Sequence, residues 1–107
     1  MSSWNIMYGE GVTKDLDELD GSVRPQVLKA IFHVAVNPLP RSEGGYGVEL
    51  GNKGGADLRG CLKIKLKKVG IRVIYTLKRT EQGMKIIIIG LRANNSVYEE
   101  AARRLGR

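Results

Sequence analysis

Trp4, Ile6 and Tyr8 stand at every second position near the start of the chain, with Asn5 and Met7 between them. This two-residue period predicts a short opening strand. After Gly9-Glu10-Gly11 the period changes: Val12, Leu16 and Leu19 fall at helical spacing, while Asp15, Asp17 and Glu18 turn away. Asp20-Gly21 stops that helix. Ser22 is placed to cap the next, and Pro25 lies in its first turn, where a missing N–H costs little. Val27, Ile31, Val34 and Ala35 then share a face until Asn37-Pro38 ends the helix. Two short helices joined this tightly make an αα-hairpin.

The second half of the chain reads as strands. Leu62, Ile64 and Leu66 alternate with Cys61, Lys63 and Lys65, and Lys67-Lys68-Val69-Gly70 turns the chain. Ile71 to Lys78 is rich in β-branched residues, and Arg79 to Gly83 makes the next turn. Met84 to Leu91 is apolar enough to be a central strand covered on both faces. These three strands should form an antiparallel meander, with the opening strand added at one edge. Arg92-Ala93-Asn94-Asn95 reads as a loop. Ser96-Val97-Tyr98-Glu99 matches a capping box, opening a last helix with Val97, Ala101 and Leu105 turned inward. The predicted fold is α+β, a single domain over residues 1–107. It has a small antiparallel sheet of about four strands, an N-terminal αα-hairpin and a C-terminal helix, in the order β-α-α-β-β-β-α.

Residues 38–60 carry Pro38, Pro40 and seven glycines, and are expected to form an irregular surface connection. Gly51-Asn52-Lys53-Gly54-Gly55 is not a phosphate loop, because no Gly-Lys-Ser/Thr follows and no buried strand precedes it.

Composition narrows the class. The 107 residues suffice for one modest core, and 42% hydrophobic with 27% charged residues is the balance of an ordinary globular protein. No apolar run approaches the ~18 residues of a membrane span. Met1 to Asn5 lacks the basic start and apolar run of a secretion signal. Cys61 is a lone cysteine, which favours a reducing cytoplasm. The net charge of +7 is unevenly spread, with −2 over residues 1–40 and +9 over residues 41–107. A positive field confined to the later part of the chain attracts polyanions.

Five residues of that part form a candidate site: Lys63, Lys65, Arg72, Arg92 and Tyr98. Strand alternation puts Lys63 and Lys65 on one face, away from Leu62, Ile64 and Leu66. Pairing across the Lys67–Gly70 turn would add Arg72, and Arg92 and Tyr98 would close the same concavity. Each residue taken alone is also explained by solvation or packing; their joint spacing is what points to phosphate chemistry. Like charges at close range lower a lysine's pKa and let it serve as a base, and an arginine fork suits phosphate oxygens. His33, mid-helix, and Cys61, a small filler that the neighbouring Lys63 could activate, stand outside the set. The acidic residues show no metal-ligand spacing, so neither metal nor cofactor is expected.

Leu62-Lys63-Ile64-Lys65-Leu66, the strand from Gly70 to Tyr75, and Gly90-Leu91-Arg92 followed by Ser96-Val97-Tyr98 together resemble the RelE branch of the RelE/ParE toxin superfamily. Lys14-Asp15-Leu16 and Leu19-Asp20 with Val23-Arg24 match that family's helical hairpin, so the resemblance runs from about Trp4 to Leu105. It implies the toxin of a type II toxin–antitoxin pair: a metal-independent endoribonuclease that cleaves messenger RNA in the ribosomal decoding site, on 16S RNA, by 2′-hydroxyl attack. It assigns the family's two strand lysines to Lys63 and Lys65, its arginines to Arg72 and Arg92, and its helix tyrosine to Tyr98. It also implies a cognate antitoxin, no membrane, and DNA met only indirectly through the toxin–antitoxin complex. The glycine-rich loop before Lys63 matches loosely. Two alternatives stay open: a ParE-like, non-enzymatic poison of DNA gyrase, and a basic ribosome- or RNA-binding module.

Overall fold

A computed structural model describes residues 3–53, 55–93 and 96–107, with Lys53 in backbone only. Met1 and Ser2, Gly54 of the glycine-rich segment, and Asn94 and Asn95 of the expected loop lie outside the described residues.

The strands are β1 (Asn5–Tyr8), β2 (Val48–Glu49), β3 (Asn52–Lys53), β4 (Ala56–Asp57), β5 (Leu62–Leu66), β6 (Ile71–Lys78) and β7 (Gly83–Leu91). The helices are α1 (Val12–Asp17), α2 (Arg24–Val34) and α3 (Ser96–Arg104). The expected meander is present, since β5, β6 and β7 pair antiparallel in chain order. The opening strand takes an edge as expected, but it runs parallel to β7, and the main sheet has five strands in the order β1-β7-β6-β5-β2. A two-residue period carries no information about strand direction; the intervening helices set it.

The connection over residues 38–60 is more ordered than its glycines suggest. Val48 and Glu49 add β2 to the free edge of β5, and β3 and β4 form a separate two-stranded ribbon. Proline and glycine cut these strands to two residues each, yet Leu50, Ala56 and Leu58 in this segment are buried.

The sheet is covered on both faces. On one, Val12 of α1 and Val27, Ile31 and Val34 of α2 pack on Leu62, Ile64, Val73 and Ile86. Trp4 is partly buried on this side, and its backbone amide donates to the Ala35 carbonyl at 2.8 Å. On the other, Val97, Tyr98, Ala101 and Ala102 of α3 pack on Ile74, Ile87 and Ile88. The run Ile86 to Ile89 serves both layers through a register shift. Ile74 of β6 pairs with Ile88 and Tyr75 with Ile86, so Ile87 is the extra residue of a β-bulge. Ile87 and Ile88 therefore face α3 together, while Ile86 and Ile89 face the hairpin.

Two of the expected helix caps are replaced by other contacts. Ser22 does not cap α2; Val23 occupies that position, and Pro25 sits in the first turn as expected. Arg24 instead donates from Nε to the Leu16 carbonyl at 2.9 Å and from Nη2 to the carbonyls of Asp17 and Leu19, stitching the end of α1 to the start of α2. Ser96 lies inside α3, and its hydroxyl donates to the Ala93 carbonyl at 3.1 Å rather than accepting from Glu99.

Candidate nucleic-acid site beneath the last helix

The four-residue turn between β5 and β6 pairs Leu66 with Ile71, which sets Lys65 directly opposite Arg72 and Lys63 opposite Ile74. Arg72 in turn faces Gly90 on β7. Alternation then keeps Lys63, Lys65 and Arg72 on the face covered by α3, as the sequence predicts. Gly90 is what brings α3 close: a Cβ there would lie 3.2 Å from Cγ2 of Val97. With Ala101 and Ala102 as the next contacts, the helix seats low on the sheet.

Tyr98 is thereby buried, and the Lys63 ammonium lies 5.9 Å from the centre of its ring, within reach of a cation–π attraction. Lys63 and Arg72 are each only 7% exposed. Arg72 donates from Nη1 to the Ile71 carbonyl at 3.0 Å, while its Nε is buried without a hydrogen-bond partner among the described residues. A buried donor left this way costs about 1–3 kcal/mol, and the oxygen of an anionic ligand would satisfy it.

Lys65 is exposed. The Lys63 charge, first of all, holds its ammonium below the ordinary lysine pKa; desolvation, Lys67 and Arg72 act in the same direction and Tyr98 in the opposite one. The sequence places Lys67 only in a turn, yet it adds to this field. Its place two residues after Lys65 is the signal that marks it.

Arg92 stands apart. It follows the last residue of β7, its amide donating to the Gly70 carbonyl at 3.0 Å, and its side chain is exposed at the rim. Lys63, Lys65, Arg72 and Tyr98 lie on the α3 side of the sheet, and Arg92 is exposed just beyond β7. Burial divides the set: Lys63, Arg72 and Tyr98 are buried, and Lys65 and Arg92 are the solvent-facing members. Of the two readings of Cys61, the small filler holds. Burial pushes its thiol pKa up, against a smaller lowering by Arg107, so it is a packed side chain of low reactivity. His33 is exposed and stacks at 4.6 Å on Tyr46, away from the cluster. Among the described residues, no group of three or more His, Cys, Asp or Glu side chains is placed to hold a metal ion. No helix among them is long and apolar enough to cross a membrane.

No family model matches the chain. It is 32% identical over 101 residues to the mRNA interferase toxin RelE of Escherichia coli, covering 92% of this chain and 93% of that protein. A doubly substituted E. coli RelE toxin in the free state superposes with a TM-score of 0.72 at 24% identity, over 97% of this chain and 99% of that one. The same toxin bound to a peptide of antitoxin RelB gives 0.68 at 24% identity, over 94% and 95% of the two chains. The sequence likeness extends over nearly the whole of both proteins and the fold agrees, so the chain belongs to the RelE branch of the RelE/ParE toxin superfamily.

Proposed function

We propose that this chain is the toxin of a type II toxin–antitoxin pair and a ribosome-dependent endoribonuclease acting on messenger RNA in the decoding site. The observation that carries the reading is Lys65, its pKa lowered chiefly by Lys63, standing opposite Arg72 on the face that also holds Tyr98.

The neutral Lys65 amine takes the proton of a ribose 2′-hydroxyl. The freed oxygen attacks the adjacent phosphorus, its bond to the 5′ oxygen breaks, and that oxygen takes a proton from solvent, so the products end in a 2′,3′-cyclic phosphate and a 5′-hydroxyl. Lys63 and the Arg72 fork stabilise the charge growing on the phosphate oxygens. Arg92 stabilises the leaving oxygen; its high intrinsic pKa suits it to that better than to giving up a proton. Tyr98 orients the ribose or stacks on a base. No step needs a metal.

Lys63, Arg72 and Tyr98 are covered in the free protein, so free RNA meets only Lys65 and Arg92. The ribosome supplies the alignment, an effect worth up to about 7–11 kcal/mol in favourable cases. A cognate antitoxin is supported by the RelB-bound relative, and the +9 segment suits an at least partly acidic partner. The setting is the cytoplasm, where translating ribosomes are, and DNA is met only through the toxin–antitoxin complex.

The test uses purified ribosomes programmed with a defined message. Cleavage should leave cyclic-phosphate and 5′-hydroxyl ends and should fall by about 10²–10⁴-fold in Lys65→Ala, the usual contribution of a general base. A phosphorothioate at the scissile position should show no manganese rescue. Toxicity that survives Lys65→Ala, with gyrase inhibited and message intact, would establish the gyrase reading instead.

A further inference from the structure

β1 covers the outer edge of β7 only as far as Ile86, where the Gly9 amide closes the pairing at 2.8 Å. Beyond it, two side chains from distant parts of the chain take the place of a strand. Arg104, the last residue of α3, donates from Nη1 to the Ile87 carbonyl at 3.1 Å, and the Ile89 amide donates to Oδ2 of Asp15, on α1, at 3.1 Å. The two side chains also grip each other, Nη1 to Oδ2 at 2.7 Å and Nη2 to Oδ1 at 2.9 Å. This bidentate pair is largely sheltered, with side-chain exposures of 22% for Arg104 and 11% for Asp15. Glu100, one turn earlier on α3, accepts a further bond from Arg104 Nε at 3.3 Å.

Room for the guanidinium comes from Gly11. Its φ of 88° is a conformation that favours glycine, and a Cβ there would lie 3.1–3.3 Å from the guanidinium atoms of Arg104. The bridge therefore passes around the edge of β7 and joins the hairpin layer to the α3 layer. Surface ion pairs contribute little. This one differs because both partners also satisfy backbone groups at a strand edge, and bidentate geometry fixes orientation as well as distance.

The far end of α3 is thus anchored, while Tyr98 sits near the other end, over Lys63. A helix held at Arg104 cannot slide or rotate on the small side chains of Ala101 and Ala102 without breaking three hydrogen bonds. We propose that Asp15 and Arg104 are positioning residues for the reaction: their clasp sets the register of α3 on the sheet and thereby holds Tyr98 in alignment with Lys63, Lys65 and Arg72. This inference rests on the ribonuclease reading above.

The test combines two measurements on full-length wild type, Asp15→Asn, Arg104→Lys and Arg104→Ala, all checked by thermal melting. The first needs neither RNA nor ribosome. Amide hydrogen exchange within residues 97–102 should speed up tenfold or more in Asp15→Asn and Arg104→Ala, with β6 and residues 84–86 of β7 unchanged. The second is cleavage on programmed ribosomes. There kcat should fall at least tenfold with KM within about threefold, Arg104→Lys should retain more activity than Arg104→Ala, and Asp15→Asn should cost almost nothing further in a Tyr98→Ala background. Unchanged α3 exchange, an unchanged kcat, or losses that simply add to that of Tyr98→Ala would overturn the clasp while leaving the ribonuclease reading intact. Wild type that fails to cleave at all would overturn both. If one variant unfolds, the milder Arg104→Lys decides the matter.

Discussion

The two faces of the sheet are built from the same strands and differ in what alternation delivers to them. The hairpin face receives Leu62, Ile64, Val73 and Ile86. Among the described residues, the buried layer beneath α1 and α2 is apolar apart from the Tyr75 hydroxyl, which donates to the Pro38 carbonyl at 2.8 Å. The α3 face receives Lys63, Lys65 and Arg72 from the intervening positions. One layer is core in the ordinary sense. The other buries two cations beneath a helix, an arrangement that disfavours folding and is found where chemistry needs it. On the proposed reading, function lies on one side of a shared backbone and stability on the other.

Exchanging a buried cation is the strongest way to break this division. Lys63→Met keeps the length of the side chain and removes its charge, so programmed-ribosome cleavage should fall by about 10²–10³-fold while the melting temperature holds or rises. A marked loss of stability would show that Lys63 supports the fold rather than the site. On the opposite face, Ile31→Ala should destabilise by about 2–5 kcal/mol in denaturant titrations. The protein that remains folded should cleave at close to the wild-type rate. Equal damage to rate would mean the two layers are coupled through the sheet.

The pH profile sharpens the same contrast. The base is the neutral amine, so the cleavage rate should climb with pH until the pKa of Lys65 is passed, and that point lies below the ordinary lysine value. Removing Lys63 takes away the largest repulsion acting on the Lys65 ammonium. The residual activity of Lys63→Met should therefore rise toward a higher pH than wild type. An unmoved profile would place the titrating group elsewhere. The smallest effect is expected at Phe32, 53% exposed on the outer side of α2. Phe32→Ser should change stability by no more than about 0.5 kcal/mol and leave the rate unchanged.

Much of this division is legible from alternation alone. Lys63, Lys65 and Arg72 can be placed on one face because a four-residue turn joins their strands and leaves little freedom of register. The seating of α3 is not legible. It depends on Gly90 lying beneath Val97, a contact between residues whose relative height no periodicity records, and the burial of Lys63 and Tyr98 follows from it. The isoleucine run reads as two-sided from its composition. Its cause, an extra residue at Ile87, emerges only once the partner strand is in place. β2 leaves no signal because two residues show no period, and the parallel course of β1 leaves none because direction does not mark a strand. Ser22 and Ser96 resemble caps in the sequence because a serine next to a helix start fits several local hydrogen-bonding patterns equally well.

Trp4 is the chain's single tryptophan and packs against the hairpin layer. Its emission is therefore a built-in optical probe of one layer, insensitive by position to small movements of the other. A helix that lifts from the lysine-bearing face would leave the indole signal flat, whereas melting of the hairpin would shift it. Fluorescence and far-ultraviolet dichroism recorded on one sample would then distinguish opening of the site from loss of the fold.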